Sequence, residues 1–141
     1  MRILGVDPAT FKPLGIALVS NGERLTVEYS GLCSYLDIPD IIKKCRPDLV
    51  VIEDQYMSRN YNTAKKLSWS AGKIMGICAI MRVPNCTMNV AHWKKIMKAQ
   101  KTDKKDNTAH IRRCAEIFGQ EYHDDVSSAI LIASAYLTEN T

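Results

Sequence analysis

The chain has 141 residues, 46% hydrophobic and 24% charged, which suits one compact domain spanning residues 1–141 with an ordinary core. Its net charge of +4 and pI near 8.8 are mildly basic, a balance compatible with a polyanionic partner but shared by many unrelated proteins. Five cysteines, an odd number without C-x-x-C spacing, argue against a disulfide framework or zinc site; no signal-peptide pattern or membrane-spanning apolar stretch is seen, so a soluble protein of a reducing cytoplasm is expected.

In chain order, Ile3 to Asp7 is a short, branched apolar run that predicts a buried strand ending on a carboxylate. A turn-rich link, Pro8 to Pro13, leads to a second strand over Leu14–Val19, and Asn21-Gly22 turns the chain into an alternating strand over Leu25–Ser30. Asp37 and Asp40 can cap a short helix through Cys45, and Pro47 breaks it before a strand that ends on Glu53. A long helix is expected from about Asn60 to Met81, a short strand over Cys86–Val90 and a helix over Ala91–Met97. Helical spacing then predicts helices over Lys104–Phe118 and Asp124–Leu137. On the long helix, Ala64, Leu67, Ala71, Ile74, Met75 and Cys78 make one stripe for the sheet, while Trp69 and Ile80 lie on another side beside Ser68, Gly72 and Gly76.

Three acidic clusters stand out: Asp7, the pair Glu53-Asp54, and Asp124-Asp125 at the start of the last helix. A carboxylate at the end of a buried strand is costly, and gathered like charges repel unless cations neutralise them. One or two divalent ions are the usual remedy, and metal-dependent phosphodiester chemistry is the first functional reading. For any single aspartate here, capping or exposure is the more common fate; the reading rests on all three positions occurring together. In an extended strand Asp54 points away from Glu53, so it is read as structural or supporting. His123 could touch the metal site, bind phosphate or cap the helix.

The order of three strands, helix, strand, helix, strand and final helices is that of a ribonuclease-H-like domain, an α/β fold with a mixed sheet flanked by helices. Specific segments resemble the RuvC family of Holliday-junction resolvases: Ile3-Leu4-Gly5-Val6-Asp7-Pro8, Leu14-Gly15-Ile16-Ala17, and Val51-Ile52-Glu53-Asp54-Gln55-Tyr56-Met57. The likeness continues through Ala64-x-x-Leu67 and Gly72, then Trp93-Lys94-Lys95 and Lys104, to the acidic helix Asp124-Asp125-Val126-Ser127-Ser128-Ala129-Ile130. It covers nearly the whole chain, and the short length suits a compact, phage-type or similar member, whose cytoplasm would then be the host's.

That resemblance implies a Mg²⁺-dependent endodeoxyribonuclease, with Mn²⁺ as a substitute, that resolves four-way DNA junctions and other branched DNA with two ions per active site. It carries the catalytic, metal-holding positions onto Asp7, Glu53 and Asp125. The second acidic position of the last helix falls on Ser128, a departure from the family pattern. On a helical wheel Ser128 lies about 60° from Asp125 and about 40° from Asp124, so Asp124 can compensate as a ligand, or Ser128 can orient a metal-bound water.

Two regions are candidates for DNA contact. Tyr56 and Arg59 follow the Glu53 strand, and the resemblance places an aromatic at position 56 against bases near the junction crossover, a sequence-tolerant grip. Lys94, Lys95, Lys98, Lys101, Lys104 and Lys105 offer phosphate contacts, although solvated lysines have the same pattern. The second apolar side of the long helix predicts a two-fold homodimer, which would supply two sites for paired cuts. The alternatives are a junction-binding protein with weak catalysis, motivated by Ser128, and a ribosomal-RNA-processing nuclease of the same fold.

Overall fold

The computed structural model describes residues 1–9, 12–54 and 61–141, except for the side chains of Thr63, Ala64 and Leu67. Its elements are β1 (Arg2–Asp7), β2 (Leu14–Asn21), β3 (Leu25–Cys33), α1 (Ile38–Cys45), β4 (Leu49–Asp54), α2 (Tyr61–Met81), β5 (Asn85–Asn89), α3 (Val90–Ile96), α4 (Ala109–Phe118) and α5 (Asp124–Glu139). The five strands form one mixed sheet in the order β3-β2-β1-β4-β5, with β1, β2 and β3 antiparallel and β4 parallel to both β1 and β5. This is the ribonuclease-H-like fold class expected from the sequence.

β1 and β4 read as unbroken apolar runs because both of their faces are covered. Alternation sends Leu4, Val6, Val50 and Ile52 to a core layer shared with Ile38, Ile42, Ile74 and Cys78 of α1 and α2. Ile3 and Val51 face the opposite layer, filled by Ala129, Ile130 and Ala133 of α5 and by Trp93 of α3. Asp7 and Glu53 continue the second set, so both strand-end carboxylates belong to the α5 face.

Two expectations need correction. No helix runs over 104–108: α4 starts at Ala109. Asp103 accepts the Lys105 N–H at 3.2 Å, and Asp106 accepts both the Thr108 N–H at 3.0 Å and its hydroxyl at 2.9 Å. Such local bonds offer the backbone a turn in place of a helix and override the helical preference of the lysines between them. On α2, Met75 is 40% exposed and lies outside the inner stripe, whereas Ser70, Ile74 and Cys78 are buried. The Ser70 hydroxyl donates to the Ala9 carbonyl at 2.9 Å, which ties α2 to the chain leaving β1. The expected roles of Ala64 and Leu67 fall on side chains outside the described residues.

Candidate active site

The site begins with sheet register. Val6 pairs beside Ile52 in the parallel β1/β4 ladder, so the next residues, Asp7 and Glu53, stand side by side at the ends of adjacent central strands. On its other side Asp7 is paired with Gly15 of β2. Two glycines then admit the last helix. A Cβ on Gly5 would lie 2.1 Å from the Ala129 carbonyl oxygen, and one on Gly15 would lie 2.1 Å from that of Asp125. Backbone-to-backbone approach of this kind brings the first turn of α5 down onto the ends of β1 and β2. The ring of His123 caps that turn, its Nδ1 accepting the Asp125 N–H at 3.1 Å.

Asp7, Glu53 and Asp125 thereby share one neighbourhood. Glu53 and Asp125 are buried. Burial, then the charges of Glu53 and Asp125, push the Asp7 carboxyl up to about 9, and Asp7 also hydrogen-bonds with Asp125. Carboxylates placed this close oppose one another's ionisation. A hard divalent cation fits this donor set, because every donor is a carboxylate oxygen and their mutual repulsion is what such a cation relieves. Among the described residues, however, no group of three or more His, Cys, Asp or Glu side chains is drawn up in ligand geometry.

A lysine that sequence reasoning passed over stands against this cluster. The Lys12 ammonium contacts both oxygens of Asp125, at 3.1 Å and 3.0 Å, although its side chain is 63% exposed. Its position in the Pro8–Pro13 link close to Asp7 was visible in the sequence. Its pairing with a residue 113 positions away was not.

The structure treats the other candidate ligands differently. The carboxylate of Asp124 is 56% exposed and is hydrogen-bonded to His110 Nε2 on α4, a partner that the sequence did not suggest. Ser128 is buried in the second turn of α5. Neither is brought into the contact that joins Asp7 to Asp125. Asp54 ends β4 opposite Asn89, one residue past Glu53 and so on the opposite face. Burial pushes Cys33 up to about 11 and Cys114 up to about 12, so these two thiols stay protonated at neutral pH.

Of the candidate DNA contacts, Tyr56 and Arg59 lie outside the described residues. Lys95, Lys98, Lys101, Lys104 and Lys105 are exposed, while Lys94 is half-buried with its ammonium 5.6 Å from the centre of the Trp93 ring. Lys101 donates to Asn107 at 2.9 Å. The run from Lys94 to Lys105 thus follows α3 and the turns before α4, leaving cationic side chains in solvent.

No family model matches the chain. Curated relatives do. The chain is 22% identical over 150 residues to the crossover junction endodeoxyribonuclease RuvC of Thermomicrobium roseum, covering 96% of this chain and 92% of that protein. It is equally identical over 151 residues to the RuvC of Carboxydothermus hydrogenoformans, covering 96% and 94%. Among solved structures, T. thermophilus RuvC in complex with a Holliday junction substrate superposes with a TM-score of 0.83 at 15% identity, covering 99% of this chain and 95% of that one. The RuvC resemblance carried by the motifs therefore extends through nearly the full length of chain and fold.

Proposed function

We propose that this protein is a structure-selective DNA endonuclease of the RuvC kind that resolves four-way junctions by metal-dependent phosphodiester hydrolysis. The observation that carries the proposal is the docking of α5 on Gly5 and Gly15, which sets Asp125 against Asp7 beside Glu53. These three carboxylates would hold Mg²⁺ or Mn²⁺, and a pair of such ions supplies charge neutralisation at the phosphate and an activated water. The protein's own part is positional. The two strand ends fix Asp7 and Glu53 on the rigid centre of the sheet. The first turn of α5 presents Asp125 to Asp7. Lys94 to Lys105 would carry the phosphate backbone, and Tyr56 and Arg59 the bases and backbone nearer the cut.

Paired cutting needs two sites, and a homodimer is proposed through the outer face of α2. Trp69 (57%), Met75 (40%) and Ile80 (84%) expose apolar surface there, and a Cβ on Gly72 or Gly76 would meet open space. Among the described residues no helix is long and apolar enough to cross a membrane. With free cysteines throughout, a reducing cytoplasm is the proposed setting.

The test is cleavage of synthetic four-way, three-way, forked and linear DNA, and of a structured RNA, with Mg²⁺ added or chelated. Metal-dependent, symmetrically paired cuts in the four-way junction are expected. Tight junction binding without cutting would favour the binding-protein alternative, and preferential RNA cleavage the RNA-processing one.

A further inference from the structure

Lys12 occupies a position that nothing about its own packing demands. The β1–β2 link is short and anchored at both ends at the level of the site, because Asp7 and Gly15 are partners in the ladder. Gly15 also carries the first turn of α5 against its backbone. A residue three positions before Gly15 is consequently held over that turn. Lys12 reaches from there to both oxygens of Asp125, yet most of its side chain is in solvent. The chain path brings Lys12 over the turn, and the carboxylate, not burial of the stem, holds its ammonium there.

A divalent ion held by Asp125 would need those same oxygens. Ammonium and metal compete for them, and a single positive charge on a mobile four-carbon stem is the partner that can leave. We infer that Lys12 is a resident counter-cation of the acidic cluster, exchanged on Asp125 for the divalent ion, and that its released ammonium then engages the phosphate of the strand to be cut. The inference rests on the nuclease reading above and adds to it a residue that changes partner between the empty and loaded states. No proton or covalent bond is transferred by Lys12; it moves charge from carboxylate to phosphate.

The two roles have opposite signs. Without DNA, Lys12 opposes metal binding, and with DNA it assists cleavage. An ordinary structural ion pair would oppose metal binding without assisting cleavage, so only the two effects together mark a lysine that changes partner.

The test uses the full chain with Lys12→Met and Lys12→Gln, and Lys12→Arg as the charge-retaining variant, each checked for folding by circular dichroism. Mn²⁺ affinity is measured calorimetrically without DNA, and single-turnover cleavage of a four-way junction is measured at saturating Mg²⁺. Removing the charge should tighten Mn²⁺ binding on the order of tenfold, the scale of one close charge in a solvated site. It should also slow cleavage at least tenfold while Lys12→Arg binds Mn²⁺ like the parent. Unchanged or weaker Mn²⁺ binding in the folded Lys12→Met or Lys12→Gln protein overturns the inference. Asp7→Asn separates the two levels: if it leaves Mn²⁺ affinity intact, the metal-site reading itself fails, whereas loss there with no effect at Lys12 overturns the counter-cation alone.

Discussion

Two neighbouring aspartates at the start of α5 have different partners, and the difference sets their expected weights. Asp125 is buried against Asp7, whereas Asp124 is drawn outward to His110. Asp125→Asn should lower the cleavage rate on the order of 10²-fold or more, the scale for losing a principal electrostatic group, while Asp124→Asn should cost less than about tenfold. Equal losses in single-turnover assays would show that Asp124 turns inward in the loaded enzyme. Asp7→Asn should abolish cleavage with junction binding intact or tighter. It should also raise the melting temperature in EDTA, because an amide replaces a carboxyl crowded by Glu53 and Asp125 and can donate hydrogen bonds to both. A lower melting temperature would mean that the carboxyl is better satisfied than its surroundings indicate.

Several elements end in ways that make separate predictions. Arg82 follows α2 in the left-handed region at φ 58°, and Val83 N–H closes the helix on the Cys78 carbonyl at 3.0 Å. Glycine adopts that conformation without steric cost, so Arg82→Gly should stabilise the protein by about 0.5–1 kcal/mol in urea unfolding. Gly5→Ala should do the reverse. Its methyl would meet the Ala129 carbonyl oxygen at 2.1 Å, and lifting α5 to make room should cost about 1–3 kcal/mol and activity with it. Much of this architecture was legible in the sequence: the apolar runs marked β1 and β4, and Pro47 marked the end of α1. The start of α4 was not, because the turns at Asp103 and Asp106 are side-chain decisions that outcompete helix propensity. The three acids could be picked out as strand-end and helix-start residues, but Lys12 with Asp125 and His110 with Asp124 are pairings made by folding. No periodicity encodes them.

For the whole molecule, the exposed apolar face of α2 and the exposed lysines support separate proposals, a homodimer and a DNA backbone contact. Trp69→Ala with Ile80→Glu should convert a dimer to a monomer by sedimentation, and the monomer should nick junctions without pairing its cuts. A variant that stays dimeric places the two-fold elsewhere. Neutralising Lys104 and Lys105 should weaken binding to every DNA shape and reduce the slope of log affinity against log salt by about 1 for each phosphate no longer neutralised. An unchanged slope would leave those side chains as solvated surface. The docking of α5 also bears on the order of synthesis. This helix supplies both the central filling of one core layer and Asp125. Asp125 can meet Asp7 only once this helix has been made, and the same collapse that completes the hydrophobic layer brings the two acids together. Polypeptides truncated before this helix should therefore be inert towards DNA, because the acid that meets Asp7 arrives only with the helix that completes the core layer.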